Sequence, residues 1–203
     1  MVFKSKASLE RFTGYEITES VAIEGYYIDK SRVRNIISGG PSDENEKMFY
    51  DAYITALKYY DRADKGKIKE ITLKLINDIN KSVGYEGALR DINVRVGDYL
   101  PPAHENLYGL VKKYIEYSNS PDADVAVQHI LFESIHPYRD GNGRTGRIIN
   151  NIMLLSRGKF PVVIEERRRR EYYAALAGIR NLKPESVDPG HMNMVWSGNT
   201  VPF

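Results

Sequence analysis

Two apolar helical stretches joined by a short, polar, glycine-rich turn constrain this chain more than any other feature. Upstream, 120–135 carries Val125, Ile130, Leu131 and Ile135 at helical spacing. Ser120-Pro121-Asp122 reads as its start: a capping Ser, Pro in the first turn, then acids near the positive end of the helix dipole. Downstream, 144–156 is apolar and helical again, and Gly158 stops it. Helices this apolar belong in the interior, packed among others. The turn between them is therefore held by a rigid scaffold.

The remaining sequence supplies mostly helical partners. A short helix is expected at 18–24, ended by Gly25, and another at 31–37, closed by Gly39 and Gly40. Pro41-Ser42-Asp43 opens a long helical stretch to about Arg62, and 68–83 places Ile71, Leu75, Ile76 and Ile79 at helical spacing. Helical patterning returns at 105–117 and 165–180. The segment 84–102 differs: Ile92, Val94 and Val96 alternate with Asn93 and Arg95, the pattern of a short strand or hairpin. Beyond Pro184 no period is clear, and the tail reads as loop-like.

Composition excludes several kinds of chemistry. The 203 residues fit one domain, or one with a small appendage, and include no cysteine, which removes disulfides, zinc-thiolate sites and cysteine nucleophiles. A net charge of +2 gives no reason to expect nucleic acid or a membrane as partner. No apolar run approaches the roughly 20 residues that span a bilayer, and the start lacks a secretory signal, so a cytoplasmic protein is expected. The run Arg167-Arg168-Arg169-Arg170 is flanked by Glu165, Glu166 and Glu171 and reads as a solvated helix face. His104, His129 and His191 have no metal-site spacing.

The turn itself carries chemistry. It reads His136-Pro137-Tyr138-Arg139-Asp140-Gly141-Asn142-Gly143-Arg144-Thr145-Gly146-Arg147. Gly141 and Gly143 let backbone N–H groups converge where a helix begins, which makes an anion site. Arg144 and Arg147, one turn apart, suit the oxygens of a polyphosphate. Two cations at the positive end of a helix are unfavourable unless an anion joins them. Asp140 suits Mg²⁺ shared with phosphate, and His136 suits a general base. The parts point to phosphoryl or nucleotidyl transfer, and the spacing does not say which phosphorus is attacked.

This stretch resembles the signature of the Fic family, His-x-Phe-x-Asp/Glu-Gly-Asn-Gly-Arg-x-x-Arg, with Tyr138 where Phe is usual. The resemblance spans roughly 20–180. It implies a mainly α fold, a helical bundle with a small β-hairpin flap beside the active site. It also implies AMP transfer from ATP to a Ser, Thr or Tyr hydroxyl of a target protein, which could be the chain itself. His136 would be the base and Asp140 the Mg²⁺ ligand. Asp140, Gly141, Asn142, Gly143, Arg144, Gly146 and Arg147 would bind the nucleotide, with Arg144 and Arg147 on the distal phosphates. Val96, Gly97, Asp98 and Tyr99 would form the flap's nucleotide edge, with Tyr172 and Tyr173 candidates for the adenine pocket. On this reading 1–40 is an N-terminal segment, 41–183 the catalytic core and 184–203 a tail.

Ser20-Val21-Ala22-Ile23-Glu24-Gly25 is similar to the family's inhibitory motif, Ser/Thr-x-x-x-Glu-Gly/Asn. The inhibitory helix is then expected at about 18–25, with Glu24 pairing with Arg147 in place of the γ-phosphate. Ser20 and Gly25 complete that motif. A kinase-like or other phosphate-group transfer, a non-catalytic nucleotide-binding regulator, removal of AMP and self-association all stay open at this point. Gly143 favours AMP transfer over the kinase-like relative, which has a lysine there.

Overall fold

The computed structural model describes residues 1–177 and 182–197. Its elements are helices: α1 Lys6–Ile23, α2 Val33–Gly39, α3 Glu44–Asp64, α4 Leu73–Ser82, α5 Leu107–Ser118, α6 Val125–Ile135, α7 Asn142–Ser156, α8 Arg169–Ala177 and α9 Gly190–Ser197. Side chains start most of the long ones. Asp43 accepts from Glu46 N at 2.8 Å and Thr72 from Leu75 N at 3.1 Å, each satisfying an otherwise orphaned first-turn donor.

The two apolar segments are α6 and α7, packed against each other at the centre. Ile130, Leu131 and Phe132 of α6 and Ile148, Ile149 and Ile152 of α7 are all buried. α3 packs against both α7 and α1 and buries Phe49, Tyr53, Ala56 and Tyr60. After α7 the chain is turned back by Asn151, whose side chain both donates to Val162 O (2.9 Å) and accepts from Val162 N (2.8 Å).

Four expectations change. The helix expected at 18–24 is the end of α1, which begins at Lys6 behind a Ser5–Ser8 capping box. Of its 18 residues 13 are buried, so it shows no solvent stripe and its polar members Thr13, Glu16, Glu19 and Ser20 hide the pattern. The start expected at Ser120-Pro121 is a turn, and α6 is capped by Asp124, which accepts from Ala126 N (2.7 Å) and Val127 N (3.2 Å). The hairpin expected within 84–102 is a single antiparallel bridge between Val96 and Tyr99. Ile92, Val96 and Leu100 are exposed there, so no apolar face drives a sheet. The tail beyond Pro184 is not loop-like: it forms α9, which buries Met192 and Val195 beside α8. The expected helix end at Arg180 and residues 198–203 lie outside the described residues.

Candidate active site

The turn between α6 and α7 opens onto a pocket of about 270 Å³, lined by His136, Asp140 to Arg144, Arg147, Glu133, Tyr172, Tyr173, Val96, Glu24 and Tyr26. α7 begins at Asn142 behind Gly141, whose φ of +74° suits glycine, and no side chain caps it. Its first N–H groups are therefore left for an anion. The Asn142 side chain is not part of that cradle. It accepts from Tyr138 N (2.9 Å) and donates to Tyr138 O (2.9 Å), bracing the turn from inside. Tyr138 keeps the packing role of an aromatic, buried at 1% exposure, and its hydroxyl donates to Asn77 Oδ1 at 2.8 Å.

His136 follows the last turn of α6 with φ +50° and ψ +63°, the one non-glycine residue with positive φ among those described. Held there, its ring bonds the Glu133 backbone, and burial, with Arg90 nearby, pushes its pKa down to about 4 against the opposing pull of Asp140. The ring is neutral at physiological pH and able to take a proton.

Arg144 and Arg147 are 1% and 4% exposed, not the solvated pair that two arginines at a helix start would ordinarily be. Glu24 bridges them: Oε1 lies 2.5 Å from Arg147 Nη2 and Oε2 accepts from Arg144 Nε at 2.8 Å. Ser20 completes the hold, its hydroxyl accepting from Arg147 Nε at 2.7 Å and its carbonyl from Arg147 Nη2 at 2.9 Å. Gly25 closes α1: Tyr26 N donates to Val21 O (3.1 Å) and Gly25 N to Ala22 O (2.9 Å) around a Gly25 φ of +93°. That end, a Schellman motif, aims Glu24 at the arginines. Gly143 makes room for it, since a Cβ there would fall 2.8 Å from Glu24 Oε1.

Of the flap residues, Val96 reaches the pocket. Tyr99 instead donates to Ser134 O at 2.8 Å and anchors the segment to α6, and Gly97 and Asp98 do not line the pocket. Tyr172 is buried against His129, 2.9 Å from hydroxyl to Nε2, while Tyr173 is 43% exposed at the mouth. Gly146 packs against Phe132 and Glu133 rather than lining the pocket. Asp140 is exposed, and among the described residues no group of three or more His, Asp or Glu could hold a metal. A divalent ion at Asp140 would need phosphate and water as its other ligands, which is how Mg²⁺ usually binds.

A family profile described as Fic/DOC family matches residues 62–154. The chain is 34% identical over 177 residues to a protein adenylyltransferase Fic of Aedes aegypti, covering 77% of this chain and 35% of that one. A protein of the same name from Nematostella vectensis is 33% identical over 180 residues, covering 79% and 42%.

The chain belongs to the Fic/DOC family.

Solved structures agree on the Fic fold. A Fic domain containing signaling protein from Bacteroides thetaiotaomicron superposes with a TM-score of 0.76 at 16% identity, covering 91% of this chain and 80% of that one. Fic-1 of C. elegans (residues 134–508) gives 0.73 at 21%, covering 95% and 65%. This chain spans about a third of the length of the mosquito relative.

Residues that sequence reasoning missed complete the Fic site. The Arg144 guanidinium lies over the Tyr85 ring at 4.9 Å and bonds its hydroxyl. Asn80 donates to Asp140 O at 3.1 Å, steadying the turn. Arg90 donates to His136 O (2.8 Å), Ile92 O (2.9 Å) and Pro102 O (2.6 Å), tying the flap segment to His136. Glu133 and Tyr26 line the pocket. Each is a single residue far in sequence from the turn, without a local pattern to announce it.

Proposed function

We propose that this Fic domain transfers AMP from ATP to a Ser, Thr or Tyr hydroxyl of a target protein, and that Glu24 restrains it. The observation that carries the reading is the convergence on one pocket of a neutral His136, the uncapped start of α7 and two buried arginines held by a carboxylate. Two relatives named protein adenylyltransferase support it.

The polyphosphate would lie along Arg144 and Arg147, with the α-phosphate on the N–H groups of α7. His136 accepts the proton of the attacking hydroxyl, whose oxygen bonds to the α-phosphorus. The bond to the β-phosphate breaks, and pyrophosphate leaves. Mg²⁺ held by Asp140 and phosphate oxygens would neutralise polyphosphate charge. The bridging position of Glu24 is the place a distal phosphate needs. A carboxylate there repels or displaces the triphosphate, and misplacement of the α-phosphate forfeits positioning that supplies about 7–11 kcal/mol of barrier lowering.

The test mixes wild type, Glu24→Gly and Glu24→Gly/His136→Ala with lysate, Mg²⁺ and ATP labelled at the α- or γ-phosphorus. Protein-bound label from the α position alone, strongest in Glu24→Gly and lost with His136→Ala, supports the reading. Label from the γ position would make the chain a kinase-like relative.

A further inference from the structure

The pocket contains a carboxyl group that the proposed reaction does not use. Glu133 lies one turn before His136 on α6 and lines the pocket with Arg147 and Tyr172. Its Oε1 is closed to solvent and has no hydrogen-bond partner among the described residues. Such an atom is costly unless something pairs with it. One other pocket atom is left the same way, Arg144 Nη1. Both belong to side chains that line a pocket in which the bridging Glu24 already fills part of the anion site.

The chain makes deliberate room for this carboxyl. A Cβ at Gly146 would fall 2.2 Å from Glu133 Oε1 and 2.8 Å from Phe132 Cδ1, so only glycine at 146 lets the side chain lie where it does. Charged and titratable groups face it from every side: Arg147 of α7, Glu24 at the end of α1, Tyr172 of α8 and Tyr114 of α5. Arg147 would draw out its proton, but that guanidinium is already held by Glu24 and Ser20. Burial dominates, Glu24 adds to it, and the Glu133 pKa rises to about 7.

We propose that Glu133 is a nucleotide-binding residue that acts as a neutral carboxylic acid, donating its O–H to an oxygen of the distal phosphates carried by Arg147. This rests on the reading of the pocket as an ATP site. A phosphate that replaces Glu24 on Arg147 arrives beside Glu133. An ionised Glu133 would repel it, whereas a protonated one adds a hydrogen bond to an anion, the stronger kind. The role is one of distal-phosphate recognition, so it distinguishes ATP from AMP.

The test measures ATP and AMP affinity by calorimetry in the Glu24→Gly background, with Glu133→Gln and Glu133→Met added separately. Both replacements keep the volume, and removing a partly buried acid whose Oε1 is unpaired should not unfold the chain; thermal melts check this. Expected is ATP affinity within about threefold for Gln, a loss of about tenfold for Met, and unchanged AMP affinity in both. Equal ATP affinity in all three proteins overturns the proposal, as does an equal loss for ATP and AMP. Gln as weak as Met would mean that the ionised carboxylate is what counts, and also overturns it. A Glu24→Gly parent that binds neither nucleotide overturns the ATP reading itself, a result visible before either Glu133 variant is compared.

Discussion

Arg144 Nε donates to Glu24 Oε2 at 2.8 Å across 120 residues of chain. That contact changes what the N-terminal helix does. With Arg147 alone, Glu24 would mask one phosphate position. Bridging both arginines, it holds the two guanidiniums at the spacing of one doubly contacted anion. The same contact places a charged group of α1 in the centre of the site, although α1 is otherwise a core helix whose Leu9, Phe12, Ile17 and Val21 are buried. Release of the whole helix would expose that apolar surface, whereas displacing the Glu24 side chain alone, 19% exposed, would free both arginines without it.

Glu24→Gly should therefore raise AMP transfer by at least tenfold while α1 stays folded. Two buried guanidiniums lose their shared carboxylate, though Ser20 and Tyr85 still bond them, which should lower stability by about 1–3 kcal/mol. ATP supplies the missing anion, so ATP should raise the melting temperature of Glu24→Gly by more than that of wild type. Scanning calorimetry with and without nucleotide checks this, and an equal shift in both proteins would show that Glu24 and the phosphates do not share a place.

The pH dependence of transfer should betray the environment of His136. Its pKa is lowered to about 4, so the base form is present above that value and is lost only as pH falls through it. In Glu24→Gly at saturating ATP, turnover should stay within about threefold between pH 8 and pH 6 on account of this residue. A fall with a midpoint near the ordinary imidazole value of about 6.5 would show a solvated ring and sink this placement of the base.

Arg90 ties the base to the flap. Arg90→Ala removes its side-chain bonds to the carbonyls of His136, Ile92 and Pro102. A cost of about 1–3 kcal/mol is expected, because three partly buried carbonyls lose a charged donor. Limited proteolysis within 92–102 should accelerate. In the Glu24→Gly background, transfer should fall about tenfold while ATP affinity changes by less than about threefold, because the α7 cradle and both arginines are untouched. Unchanged proteolysis would mean that the bridge at Val96 and Tyr99 holds the segment by itself.

What the sequence revealed and what it hid divide along a physical line. His136, Arg144 and Arg147 could be read because helix start, anion site and base are contiguous, and contiguous geometry is set by local backbone rules. Glu24 could be read only through the resemblance of Ser20 to Gly25 to the family's inhibitory motif, because a Ser and a Glu four apart before a Gly are by themselves common on a solvated helix. The second bond of Glu24 to Arg144 was out of reach, since it depends on how α1 lies across α7. Tyr85, Asn80 and Glu133 were missed for the same reason: each enters the site through tertiary packing. The length of α1 was concealed by burial on nearly all sides, which erases the amphipathic stripe that marks a surface helix. The alternation at 92–96 suggested a hairpin, but a period of two implies a sheet only where one face is buried, and here it is not.

Glu16 offers a test of how α1 is held. It is 3% exposed, and Tyr60 donates to its Oε2 at 3.1 Å. Burial raises its pKa to about 7, against the opposing pull of Arg147 and of the Tyr60 hydrogen bond. An acid whose folded pKa lies above its unfolded value binds more protons when folded. Its contribution is fully present below the unfolded value of 4.5 and is lost as pH rises through about 7. Glu16→Gln keeps the hydrogen-bonding shape without the ionisation. Its melting temperature relative to wild type should therefore be higher at pH 8 than at pH 5, by a few kelvin for each kcal/mol, on the order of 2–4 °C in a chain of this size. Melting curves across pH 5 to 8 for both proteins decide it. A constant difference over that range would mean that Glu16 does not titrate there, and that α1 docks on Arg147 through Ser20 and Glu24 without a buried acid behind them.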